Sequence, residues 1–149
     1  MISYFFGSKA KLFMAATDIA IDPEGIVERL VSQGRDNIGA HIARLVLEQW
    51  SDPRSRNPIV ALLDAAVADD HASSVLHEFL LQQILFPLLA ELGSDNPDLR
   101  AGLISAHLTG LGLGRFVYGL IPPDRVDDES IIRALGPTLQ RYLTAPLDS

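Results

Sequence analysis

Asp69, Asp70, His71, His77 and Glu78 fall in one short stretch, and imidazole with carboxylate is a donor set that holds divalent metals. The spacing does not suit a helix-borne site. His71 and His77 are six residues apart, which turns them to different sides of a helix, and no H-E-x-x-H pattern occurs. Solvated charge near a helix end is the simpler reading. Gly110, Gly112 and Gly114 form a G-x-G-x-G run, but a phosphate-cradling turn needs a strand before it and a helix after it. These glycines lie inside a helical pattern. Nucleophilic catalysis lacks its parts as well: there is no cysteine, no G-x-S-x-G, and no Ser or Thr that spacing ties to a particular His and acid. The expectation is a protein that is not an enzyme and carries neither metal nor cofactor.

Two other sets of residues remain. His41, Trp50, Phe79, Gln83, Phe86 and His107 are polar or aromatic groups set in apolar helices, the composition of a ligand cavity between helices. Ordinary core and rim is the competing account of each one singly. Gly102, Ala106, Gly110 and Gly114 recur every fourth residue, a smooth ridge that lets another helix approach closely. Glycine inside a helix costs roughly 0.5–1 kcal/mol relative to alanine, so such a ridge needs a packing partner. That partner is either a helix of the same chain or one of a second copy. The final helical segment also presents Ile131, Leu135, Leu139 and Tyr142, and two such helices from each of two copies would close a four-helix bundle.

The elements that position these residues are helical throughout. Prolines and glycines divide the chain into apolar-periodic segments: Ser8–Ile21, Gly25–Trp50 with a division near Gly34 or Asp36, Pro58–Asp69, and Ala72–Leu92 bent at Pro87. A further helix capped by Asn96 and opened by Pro97 runs to about Gly119, and a last one runs from Asp127 or Asp128 through Tyr142 with a break at Gly136 and Pro137. No alternating-polarity strand occurs, so the predicted fold is an all-α bundle of about six helices.

Charge adds an asymmetry. The 149 residues carry 12 Lys and Arg against 19 Asp and Glu, a net charge of −7. Residues 1–17 contribute +2 through Lys9 and Lys11, which leaves −9 on residues 18–149. The acidic body would repel nucleic acid, whereas the basic start favours phosphate. Lys9, close to the N-terminus of its helix, opposes the macrodipole, which argues for an anion beside it. The apolar run Leu103–Leu120 approaches membrane-spanning length, but it contains His107 and Arg115, and a buried helix explains it without placing charge in lipid. With the lysines placed after the apolar start, the N-terminus does not have the order of a secretory signal, so the expected location is cytoplasmic.

The segment Ile2–Ala16, ISYFFGSKAKLFMAA, resembles the end of the DNA-binding domain of tetracycline-repressor-like (TetR) transcriptional regulators, in which an aromatic cluster precedes F-G-S-K and an L-F pair. Tyr4, Phe5, Phe6, Gly7, Ser8, Lys9, Leu12 and Phe13 carry the match. LEQWSDP at Leu47–Pro53, the Pro87 bend, the glycine-rich Leu111–Tyr118 and P-x-L-Q-R-Y-L at Pro137–Leu143 resemble the regulatory domain of such proteins. The resemblance implies residues 1–20 as the remnant of a DNA-binding head, with Tyr4 and Lys9 as phosphate contacts, and residues 21–149 as a ligand-binding and dimerisation domain. It also implies a homodimer, a small apolar effector, and operator DNA as a partner only where the preceding helices are present. The chain begins within the last residues of the family's third helix, so direct base readout is not expected from it. A stand-alone helical protein forming homo- or mixed dimers is the alternative.

Overall fold

The computed structural model describes residues 23–52 and 81–147, which form five α-helices and no strand. The expected helices at 8–21 and 58–69, the boundary at residue 20, and Tyr4, Lys9 and Phe79 lie outside the described residues.

Helix α1, Pro23–Ser32, opens on a proline whose missing N–H is needed by no carbonyl, with Glu24 in its first turn. It buries Ile26, Val27 and Leu30. Gly34, at φ 110°, stops it, and a single 3-10 turn, Arg35–Asn37, leads into α2, Ile38–Ser51. The predicted division near Gly34 is therefore present. A π-helical turn, Leu81–Leu85, precedes α3, Phe86–Leu92. Pro87 removes one helical N–H and crowds the preceding turn, and the wider π turn takes up the mismatch. Gly93 ends α3 in the left-handed region, with Gly93 N–H donating to the Ala90 carbonyl and Ser94 N–H to that of Leu89.

Helix α4 spans Pro97–Phe116 and α5 spans Asp128–Thr144. Two sequence expectations are corrected at their ends. Asn96 does not cap α4 through its side chain; it takes a left-handed backbone, φ 49°, that turns the chain into the helix. Helix α5 does not break at Gly136 and Pro137. It continues through them because Leu139 and Leu143, beyond the proline, are fully enclosed in the core, and Gly136 is held against Ala40 of α2. Packing on both sides outweighs the one hydrogen bond a proline removes.

The core gathers Ile38, Ala43 and Leu47 of α2, Leu88 and Leu89 of α3, Ala101 and Ile104 of α4, and Leu139 and Leu143 of α5. The crossing of α2 with α5 is the tightest in the molecule as described. A Cβ on Gly39 would lie 2.2 Å from the Gly136 carbonyl oxygen and 2.6 Å from the Gln140 nitrogen, so backbone meets backbone there. Gln140 locks the crossing: its Oε1 accepts from Gly39 N–H at 2.9 Å, and its Nε2 donates to the Arg35 carbonyl at 2.7 Å.

Candidate functional site

Two buried arginines fix α4 against α5. Near the start of α4, Arg100 Nη1 donates to the Tyr142 carbonyl at 2.7 Å, while its Nη2 pairs with Asp95 Oδ1 at 2.7 Å. At the other end, Arg115 Nη2 donates to Asp128 Oδ1, in the first turn of α5, at 2.8 Å. The N-terminal end of α4 thus meets the C-terminal end of α5, and the reverse, so the two helices run antiparallel. Arg115 is the charge that interrupts the apolar run in the sequence; it is buried and ion-paired. Among the described residues, no helix is long and apolar enough to cross a membrane.

Between the two helices lies an open apolar groove of about 750 Å³. Helix α4 contributes Ala106, His107, Gly110 and Leu111, the connection contributes Ile121 and Val126, and α5 contributes Ser130, Ile131, Ala134, Leu135 and Thr138. None of these is an acid, lysine or arginine, although the chain as a whole carries −7. Ser130, Ala134 and Thr138 recur every fourth residue on α5, a second ridge facing that of α4, and this spacing was the sequence signal available for them. Among the described residues, nothing beyond the helix's own neighbouring backbone stands within 4 Å of the Cβ position at Gly102 or Gly110.

His107 sits in this groove. Its Nδ1 lies 2.8 Å from the Leu103 carbonyl, and because a carbonyl only accepts, that nitrogen carries the proton. The imidazole tilts against the Tyr142 ring, centroids 5.2 Å apart, and the Arg141 guanidinium lies 5.9 Å from the same ring's centroid. The groove therefore holds one imidazole and no nucleophile paired with a base. Its chemistry is that of an apolar surface.

Of the residues expected at an interface between copies, Gly102, Ala106, Gly110, Ile131, Leu135 and Tyr142 lie on or beside this face, and two do not serve it. Leu139 is completely enclosed in the chain's own core and has no surface to offer. Gly114 is buried, and a Cβ there would touch Leu120 of the same chain at 3.7 Å. The helix explains Gly114: a step of four residues overshoots a full turn by about 40°, so the ridge winds inward after three such steps.

The residues expected to line a ligand cavity are not brought together among the described residues. Trp50 is buried, stacked on Phe116 at 6.1 Å and seated on Gly112, where a Cβ would come within 2.1 Å of the indole. Gln83 and Phe86 are half-buried on the π turn and α3, and His41 is half-buried on α2. His107 belongs to the groove instead. Among the described residues no grouping of His, Asp and Glu could hold a metal ion.

The family described as tetracyclin repressor-like, C-terminal domain, matches residues 36–143, from the 3-10 turn before α2 almost to the end of α5. No curated protein and no solved structure matches the chain.

Proposed function

The chain belongs to the tetracyclin repressor-like C-terminal domain family, and from that premise we propose that it is the dimerisation and effector-binding part of a transcriptional repressor. The observation that carries this reading is the uncharged groove between α4 and α5, open among the described residues and lined by two small-residue ridges. Glycine at Gly102 and Gly110 is unfavourable in a lone helix, and a close helix from a second copy supplies the compensating contacts. The pairs α4 and α5 of two copies then close a four-helix bundle.

A small apolar effector enters the helical body of each copy. Trp50, Phe79, Gln83 and Phe86 are the side chains we assign to its neighbourhood, and residues 1–20 are the remnant of a DNA-binding head, with Tyr4 and Lys9 as its phosphate contacts. The effector shifts the helices that carry the heads, changes their separation and lowers operator affinity. Sedimentation equilibrium tests the first part: we expect a dimer at micromolar concentration, and a well-folded monomer there would overturn it. Thermal unfolding with a panel of small apolar compounds tests the second. An effector raises the midpoint as its concentration passes its Kd, and a panel with no shift, together with unchanged operator affinity of the full regulator, would sink the effector role.

A further inference from the structure

Four of the large apolar side chains left in solvent stand at the two ends of α4. Leu99 is 45% exposed near the start of α4, and Val117, Tyr118 and Leu120 are 41%, 68% and 76% exposed just past its end. The latter three are fixed in place rather than loose. Val117 N–H and Tyr118 N–H donate to the Leu113 carbonyl, and Leu120 N–H and Ile121 N–H donate to that of Gly114, so the chain after α4 folds into a firm knuckle.

Their spacing has a symmetry. Leu99 and Val117 are 18 residues apart, about five helical turns, so they project in the same direction. Ala106 and Gly110 lie on that line to within about 20°, and residue 108, midway between them, is also midway between Leu99 and Val117. One stripe of α4 therefore reads large, small, small, large about its own centre. Such a stripe is complementary to its own copy turned end for end. Two helices that cross closely at small residues diverge towards their ends, and large side chains at the ends fill the widening gap.

We infer that the second copy packs antiparallel across α4, the two helices crossing at Ala106 and Gly110, with Leu99 of each copy seated against the Val117–Leu120 knuckle of the other. The inference rests on the dimer reading above and adds its register. An uncharged face lets two chains of −7 approach without repulsion at the contact. The face of α4 and α5 is about 30 Å long and roughly 20 Å wide, comparable to the ~800 Å² per partner of a standard interface. A parallel arrangement is disfavoured on two counts. It would set Asp95 and Asp98 of one copy beside the same acids of the other, and it would crowd both knuckles at one end while leaving Leu99 facing only its own copy.

The absence of cysteine makes the register directly readable. Leu99→Cys, Val117→Cys and the double variant are treated with a short bismaleimide, after circular dichroism shows that each keeps the wild-type helix content. The two positions on one chain are about 27 Å apart, beyond the linker's reach, so any cross-link is between copies. The double variant is expected to give at least tenfold more covalent dimer than either single variant. Covalent dimer from Leu99→Cys alone would overturn the antiparallel register in favour of a parallel one. No covalent dimer from the double variant, with wild-type protein sedimenting as a dimer, would move the interface to another face and leave the dimer reading intact. Wild-type protein sedimenting as a monomer would remove both.

Discussion

The crossing of α2 with α5 and the outer face of α4 both depend on glycine, and they present it in opposite states. At Gly39 the space of the missing side chain is filled by the backbone of α5, whereas at Gly110 it is open. At the crossing, the lost helix propensity is offset inside the chain by enclosed leucines and by the Gln140 hydrogen bonds. On α4 the same cost has no return among the described residues. A helix face that keeps glycine without an internal reason marks where something else docks, and the contrast can be tested from both sides.

The largest effect is expected at the filled site. Gly39→Ala drives a Cβ into the Gly136 carbonyl, which is backbone and cannot swing aside, so the loss should reach the top of the usual overpacking range, about 3 kcal/mol or more. Urea unfolding at fixed protein concentration reads it; a variant as stable as wild type would show that the crossing is looser than described. Next comes the clamp that joins α4 to α5. Arg100→Met leaves the Tyr142 carbonyl without its donor, and a buried orphan acceptor costs about 1–3 kcal/mol. Asp95 is largely exposed and returns to water.

Gly110→Ala should separate the two regions most sharply, because its two consequences have opposite signs. The isolated helix gains about 0.5–1 kcal/mol in propensity, while the added methyl pushes the docked copies apart. The unfolding midpoint measured on dilute monomer should rise as the dimer dissociation constant increases. A tighter dimer would break the comparison, since it would mean that nothing approaches closely at this ridge.

The smallest effect is acid sensitivity at the start of α5. Hydrogen bonds from the Ser130 side chain and backbone hold the Asp127 carboxyl below its ordinary range, and Arg44 does the same for Glu129 by hydrogen bond and charge. A carboxyl whose folded pKa is depressed contributes stability that is fully present above its unfolded value, near 4, and lost as pH falls through the folded one. Asp127→Asn keeps a capping oxygen but removes the titration, so its stability should fall less between about pH 5 and about pH 3 than that of wild type. Equal slopes in urea midpoints at the two ends of that range would refute it. Both carboxyls are exposed, so the difference is small.

Much of the helical plan was legible. Proline and glycine punctuation located the break at Gly34, and of the four-residue period Gly102, Ala106, Gly110 and Gly114, Gly102 and Gly110 stand open among the described residues while Gly114 lies against Leu120. What failed did so because it depends on distant parts of the chain. Periodicity showed that α5 is apolar along one side without telling which leucines face inward, so Leu139 was assigned to the surface although the core encloses it. Nor does any local pattern show that Gly112 lies beneath the Trp50 indole, because the two residues are far apart in sequence.

The sequence by itself determined the class of the molecule: helices from the 3.6-residue period, their ends from proline and glycine, and a glycine ridge that demands a neighbour. These are local properties, set within a few turns of backbone. Only the tertiary structure decided which glycines find that neighbour within the chain. Whether a missing Cβ is filled or open depends on where residues far apart in sequence meet, as Gly39 meets Gly136 while Gly110 faces open space among the described residues.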